Sequence, residues 1–183
     1  LALTVAIFDQ EGQAFGGMFV AGPFTSFVNV IVLLTGGLGV LLAMDYLRRT
    51  DMDRSEYYFL LLFTTGGMMF MAGANDLIIV FVALELLSIP LYVLSGFRRP
   101  EVKSEEAALK YFLLGAFASG FLVYGIALVY GATGTTSLPG IWAAVGPIMT
   151  GETGARFLLL LGAGLITVAL GFKVAAVPFH MWT

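Results

Sequence analysis

The chain has 183 residues and a formal net charge of −3, and 59% of its residues are hydrophobic while 11% are charged. A soluble domain averages roughly 25% charged residues, and several apolar runs here approach the ~20 residues that a helix needs to cross a bilayer. The composition therefore predicts an integral, multi-pass membrane protein. Because the few basic residues form no basic face, we expect no nucleic-acid partner.

The sequence contains no cysteine and a single histidine. This excludes cysteine-ligated iron–sulfur clusters and bis-histidine haem ligation within the chain, and no glycine-rich strand-to-helix fingerprint for a dinucleotide is present. We expect neither cofactor-binding nor metal-binding residues in this chain. If the protein takes part in electron transfer, the electrons travel through other subunits.

The predicted fold is an all-α, polytopic transmembrane helix bundle. Residues 1–23 combine a short apolar beginning, which lacks the charged region of a signal peptide, with a glycine-rich loop, and we expect them to be the tail of a preceding helix and a loop. The bundle follows at 24–183, and we expect the whole to be a fragment of a longer polypeptide. The predicted spans are 24–46, 57–72, 77–97, 107–130 and 157–183, with a short surface helix near 141–145.

Basic residues outside the spans concentrate in two alternate connections. Loops rich in lysine and arginine stay on the cytoplasmic side of a membrane, so both connections are predicted to face the cytoplasm. These residues are Arg48, Arg49 and Arg54 after the first span, and Arg98, Arg99 and Lys103 after the third.

Almost all charged residues lie in loops or at span ends, and the three exceptions are Glu85, Lys110 and Lys173. A charge at membrane depth is costly and usually belongs to an ion or proton pathway. In a medium of low dielectric, the charge of each such group depends on the charges of its neighbours, and a chain of them linked by water can pass protons. We therefore predict that the three residues take part in proton translocation.

Glu85 lies about midway along the third span, and helical geometry places other polar side chains on its side of the helix. Ser88, Tyr92 and Ser95 form this polar stripe, which we expect to face protein or a water-filled cavity. Pro90 is predicted to kink the helix. The alternative is that Glu85 is a buried structural residue that only forms a hydrogen bond with a neighbouring helix.

Lys110 lies about one turn into the fourth span, and Tyr124 falls on roughly the same face further along. Lys110 can point inward and pair with Glu85, because both residues approach the cytoplasmic half of the bundle. The alternative is that its ammonium group reaches back to the cytoplasmic headgroups, as long basic side chains near helix ends do.

The stretch from Gly171 onward reads GFKVAAVPFHMWT. Pro178 would free the carbonyl of Val174, so the final span is predicted to break there, and a lysine such as Lys173 beside broken backbone is typical of transporter ion sites. His180, just past the proline, is a candidate proton relay. The alternatives are that Lys173 extends to the membrane interface and that His180 is packed for structural reasons.

Almost the whole chain resembles a known family, and the resemblance rests on three motifs in the family's order. They are VALELLSIPLYVLSGF, SEEAALKYFLLGAFASGFLVYGIALVYGATGTT and GFKVAAVPFHMW. The chain is similar to subunit N, an antiporter-like proton-translocating subunit of bacterial NADH:quinone oxidoreductase (respiratory complex I). The alternatives are a subunit of a multisubunit sodium/proton antiporter, which shares the fold, and a structural membrane scaffold whose buried charges only fix helix register.

The resemblance implies a fold of two inverted five-helix repeats, of which this fragment holds part of the first, with a broken final helix. Glu85, Lys110 and Lys173 would match the family's glutamate and two lysines of one proton half-channel, and His180 the histidine after the break. The resemblance also implies a translocase subunit in the bacterial inner membrane, whose partners are other membrane subunits, the lipid bilayer, protons and water. NADH, flavin, iron–sulfur clusters and quinone are then expected in other subunits, whose electron transfer is coupled to proton pumping.

Overall fold

The structure is a computed structural model that describes residues 1–6 and 8–182. Helices account for most of these residues, and a short antiparallel hairpin of β1 and β2 near the N-terminus is a small departure from the expected all-α fold. The hairpin strands are Gly12–Ala14 and Phe19–Ala21, joined by a single helical turn at Phe15–Gly17. The α-helices are α1 (Ala2–Ala6), α2 (Pro23–Arg49), α3 (Ser55–Ala72), α4 (Leu77–Ser95), α5 (Val102–Thr133), α6 (Leu138–Thr150) and α7 (Thr153–Lys173).

The predicted polytopic helical bundle is confirmed. Among the described residues, α2, α4, α5 and α7 are long and apolar enough to cross a membrane. The helix α3 starts with the polar residues Ser55 and Glu56 and is not among these four, so the division into five spans stays a prediction. The final span differs from its expected bounds, because α7 begins at Thr153 and ends at Lys173.

Close packing between helices depends on glycine. The helix α5 packs along α7, while α4 packs against α3 and α5 and α2 packs against α3. Where α5 and α7 meet, a Cβ added to Gly125 would lie 2.8 Å from the carbonyl oxygen of Gly162, and the reverse substitution would meet the carbonyl of Gly125 at the same distance. Small residues let two helix backbones approach in this way within a membrane.

At one end of the bundle, backbone hydrogen bonds tie the turn between α3 and α4 to two other segments. The backbone N–H of Asn75 donates to the carbonyl of Met18 at 2.9 Å, which joins the turn to the hairpin. The backbone N–H of Leu77 donates to the carbonyl of Thr136 at 2.9 Å, which joins it to the connection between α5 and α6. The buried carboxylate of Asp76 caps α4 by accepting from the backbone N–H of Ile78 and from the Thr136 hydroxyl, both at 2.8 Å. We name this junction the outer clasp, because it lies opposite the two basic connections.

Two alanine substitutions on α7 test the contact between α5 and α7. Gly162→Ala places a methyl group against the Gly125 carbonyl and Val129, and such overpacking typically costs ~1–3 kcal/mol. Gly164→Ala is the matched control, because an added Cβ there meets nothing within 4 Å. We expect a lower thermal unfolding midpoint for Gly162→Ala and an unchanged or higher one for Gly164→Ala. Equal midpoints for the two variants would contradict the contact.

Candidate functional site

Lys173, the last residue of α7, points into the bundle and binds to α4. Its Nζ donates to the hydroxyl of Ser88 at 2.5 Å and to the hydroxyl of Tyr92 at 3.1 Å. The same nitrogen lies 5.4 Å from the centroid of the Tyr92 ring and 5.9 Å from that of Phe172, within the range of a cation–π attraction. Lys173 is therefore held between two helices by hydroxyls and aromatic rings.

The hydroxyls that receive Lys173 belong to the polar stripe of α4. Ser88 is fully buried, and it donates its own hydrogen to the carbonyl of Leu84, which leaves its oxygen free to accept from Lys173. Tyr92 is buried against α5, where Gly115 makes room for its hydroxyl. Ser95, the last member of the stripe, bonds to the carbonyl of its own helix at Leu91.

Glu85 is half-buried on α4 and is bound from α5. Its Oε1 accepts a hydrogen bond from the hydroxyl of Ser119 at 2.5 Å. Glu85 also interacts electrostatically with Lys173, so α4 carries a carboxylate and receives an ammonium group within one polar region. Sequence reasoning missed Ser119, although it lies one helical turn from Gly115 and beside Ala118, on the face of α5 that is buried.

A groove of about 510 Å³ runs past the Glu85 carboxylate between α4 and α5. Tyr124 lines this groove together with Glu85 and Ser119, and the remaining lining is apolar or small. Tyr124 is 59% exposed, so the groove opens at the surface of the described chain.

Lys110 occupies a different place from the one that a pair with Glu85 requires. It forms an ion pair with Glu106, one turn back on α5, with Nζ and Oε1 at 2.5 Å and both side chains more than half exposed. Because the two residues are four apart on a helix, this pairing is local. His180 lies exposed on the segment after α7.

The two prolines lie differently with respect to their helices. Pro90 lies inside α4, which continues through it to Ser95 as one helix, and the kink expected there stays a prediction. The final helix ends at Lys173, before Pro178. The carbonyl of Val174 therefore lies outside the helix, and Pro178 removes no helical hydrogen bond from it. The break is instead closed by Ala175, whose φ of 52° is left-handed.

Backbone hydrogen bonds and an indole ring complete the end of α7. The N–H of Ala176 donates to the carbonyl of Gly171 at 2.9 Å, which with the left-handed Ala175 forms the arrangement that commonly closes helix C-termini. The indole N–H of Trp182 donates to the carbonyl of Phe172 at 2.8 Å. The Trp182 ring stacks on Tyr111 with centroids 4.5 Å apart, and Tyr111 contacts Tyr92 edge-on at 4.7 Å. The segment after the break is thus packed against the residues that hold Lys173.

A bundle of apolar helices that encloses a lysine, a glutamate and hydroxyl groups is typical of membrane proteins that move ions. Within the described residues, no group of three His, Cys, Asp or Glu side chains could hold a metal ion.

Residues 74–183 match the family described as "NADH:quinone oxidoreductase/Mrp antiporter, TM". The chain belongs to this family of integral membrane proteins. Over 99% of its length it is 47% identical to NADH-quinone oxidoreductase subunit N 2 of Roseiflexus castenholzii, of which it covers 36%. The chain therefore spans about a third of the length of such relatives, and the resemblance read from its motifs is confirmed.

Solved structures of two respiratory membrane complexes are also similar. A chain of respiratory complex I from Thermus thermophilus with bound aureothin superposes with a TM-score of 0.77 at 37% identity, over 100% of this chain and 37% of that one. A chain of an archaeal membrane-bound sulfane sulfur reductase superposes with a TM-score of 0.72 at 24% identity, over 93% of this chain and 34% of that one. The second likeness shows the shared fold alone.

The two tryptophans allow a matched test of the packing behind Lys173. Trp182→Phe keeps an aromatic ring but removes the donor to the Phe172 carbonyl, and a hydrogen bond of this kind contributes ~0.5–1.5 kcal/mol. Trp142→Phe on α6 is the control, because Trp142 is 81% exposed. We expect Trp182→Phe to speed proteolytic cleavage of the segment 174–182 and Trp142→Phe to leave it unchanged. The same cleavage rate in both variants would show that the indole does not fasten the segment.

Proposed function

We propose that this chain is the part of a proton-translocating membrane subunit of an NADH:quinone oxidoreductase that carries one half-channel. The observation that supports the proposal most directly is the contact between Lys173 and the hydroxyls of Ser88 and Tyr92, on the helix that also bears Glu85. Two ionisable groups of opposite charge thus share a polar region inside an apolar bundle.

The chemistry follows from charge coupling at low dielectric. Two unit charges attract far more strongly in a protein interior than in water. A proton that reaches Glu85 through the open groove removes a negative charge that acts on Lys173. The ammonium group then loses part of its electrostatic stabilisation, and its proton is released more readily to water or to a neighbouring hydroxyl. Proton arrival at one group is in this way linked to proton departure from the other.

The other predicted residues take supporting roles in this proposal. Tyr124 lines the groove by which water reaches Glu85. Lys110 pairs with Glu106 at the surface of α5, so a part in translocation requires that it leave this partner. His180 passes protons onward from the region of Lys173, since histidine titrates near neutral pH.

The chain covers only about a third of the length of its relatives, so a complete path across the membrane requires the rest of the subunit. We infer that the remainder contains an inverted second repeat with its own broken helix and its own ionisable residue. The redox chemistry belongs to other subunits of the complex, which hold NADH, flavin, iron–sulfur clusters and quinone. This subunit lies in the bacterial inner membrane beside further membrane subunits, and its own contribution to the enzyme is ion translocation.

A second candidate function is ion exchange in a multisubunit sodium/proton antiporter. The family description that residues 74–183 match includes such antiporters. Sodium-dependent proton exchange by liposomes that contain the full subunit and its membrane partners, without NADH or quinone, would favour this candidate. Dependence of proton movement on NADH oxidation favours the oxidoreductase.

Substitutions at the two buried charges test the half-channel. We expect Glu85→Gln and Lys173→Met, introduced into the full-length subunit of the assembled complex, to lower the number of protons pumped per NADH oxidised. The loss of a positioned proton-transfer group typically slows the step that it serves by ~10²-fold or more. Lys103→Met and Glu105→Gln remove one charge of each sign from exposed positions and serve as controls. Wild-type pumping in both interior variants would rule out the half-channel role.

The requirement for deprotonation of Lys173 has a separate test. Lys173→Arg keeps the positive charge but introduces a guanidinium group that does not lose its proton in proteins. We therefore expect the arginine variant to assemble and to pump as poorly as Lys173→Met, as measured in proteoliposomes with a pH-sensitive dye. Pumping at the wild-type level would show that Lys173 works as a fixed charge.

A further inference from the structure

The hydroxyl of Ser119 donates its hydrogen bond to another helix, whereas most other serine and threonine hydroxyls of the bundle donate to their own helix. Serine and threonine within membrane helices commonly donate to the carbonyl four residues earlier on their own helix. Ser119 instead reaches from α5 to α4 and donates to the Glu85 carboxylate at 2.5 Å. The residues that bond back to their own helix at four residues' distance include Thr35, Thr65, Ser88, Ser95, Thr133 and Thr167.

The surroundings of Glu85 explain what a crossing hydroxyl achieves. Phe81, Ala116 and Val123 contribute apolar surface to the groove in which the carboxylate lies. A carboxylate oxygen without a donor in such a place is strongly disfavoured. The Ser119 hydroxyl donates a hydrogen bond to Oε1 of Glu85. Glu85 also lines the groove, so its second carboxylate oxygen can take a partner there.

We propose that Ser119 is a positioning residue that holds the Glu85 side chain in one place in both of its protonation states. This inference rests on the proposed function, because it assigns Ser119 a role only through proton exchange at Glu85. Ser119 itself neither gains nor loses a proton in this scheme.

The chemistry of a hydroxyl makes the two-state contact possible. A serine hydroxyl has one hydrogen to donate and two lone pairs with which to accept. In the structure it donates to Oε1, which is the contact that the ionised form of Glu85 requires. When Glu85 takes up a proton, the hydroxyl rotates about its C–O bond and accepts from the new carboxylic acid. The carboxyl group consequently stays beside the groove and at a constant place relative to Lys173 throughout the cycle.

Loss of the hydroxyl releases this constraint. In a Ser119→Ala variant the carboxylate lacks its donor from α5, and the side chain of Glu85 can turn toward the groove or toward other polar groups. Ser119→Thr retains a hydroxyl at the same place with one additional methyl group. The helix backbone of α5 is unaffected in the alanine variant, because alanine is a good helix former and Ser119 makes its bond across to α4.

The experiment compares four variants in the assembled complex. They are Ser119→Ala, Ser119→Thr, Glu85→Gln and the double variant that combines Ser119→Ala with Glu85→Gln. We expect Ser119→Ala to lower protons pumped per NADH several-fold, Ser119→Thr to restore most of the loss, and Ser119→Ala to add nothing in the Glu85→Gln background. Thr167→Val is the matched control, because Thr167 is exposed and its hydroxyl bonds only within α7 in the described structure. Normal pumping in Ser119→Ala, or an equal further loss in the Glu85→Gln background, would overturn the inference.

An infrared measurement separates positioning from a purely structural role. The carbonyl stretch of protonated Glu85 is the band that Glu85→Gln removes, and we expect Ser119→Ala to shift it to higher frequency while Ser119→Thr leaves it in place. An unshifted band in Ser119→Ala overturns the inference.

If Glu85→Gln itself pumps normally, the proposed function fails as well, whereas loss in Glu85→Gln with normal pumping in Ser119→Ala overturns only the role of Ser119.

Discussion

The contact between the Lys173 ammonium group and the hydroxyls of α4 is the interaction on which the rest of the site depends. An ammonium group without partners at membrane depth is expensive, and here two oxygens and two aromatic faces share its charge. None of these partners is an ionised carboxylate in direct contact, which suits the proposed exchange of a proton at this amine. A direct ion pair would bind the proton more firmly and hinder its exchange.

This arrangement requires the helix that carries Lys173 to end where it does. A longer α7 would continue past α4, whereas the left-handed Ala175 turns the chain back and lets Trp182 lie over Tyr111. The aromatic rings of Trp182, Tyr111 and Tyr92 then pack in a row on the side of the site that faces the break. The close approach of α5 and α7 at their glycines and the packing around the broken end thus serve the same contact, because both determine how far Lys173 reaches toward α4.

Much of this could be predicted from the chain itself. The apolar runs predict the bundle, and the helical spacing of Ser88 and Tyr92 from Glu85 indicates a polar stripe, which the structure places against Lys173. Spacing along one helix contains no information about the facing helix, so the bond from Ser119 could not be inferred without the register between α4 and α5. The pairing of Lys110 with Glu106 was accessible from its four-residue spacing. The sequence predicts the break in the final helix near Pro178, because proline is a strong helix breaker, but α7 ends earlier, at Lys173. The turn after it depends on a left-handed Ala175, and alanine gives no sequence signal for that conformation.

The outer clasp has a mechanical consequence for the site. Hydrogen bonds at Asn75, Asp76 and Leu77 fasten the first turn of α4 to two other segments. This end of the helix is therefore the fixed point about which α4 would tilt. Ser88 lies twelve residues from Asp76, a lever arm of about 18 Å at 1.5 Å per residue. A tilt of about 5° would move the Ser88 hydroxyl by about 1.6 Å over that arm, enough to break its bond to Lys173. A small rotation of one anchored helix is therefore sufficient to form or break the contact between Lys173 and α4.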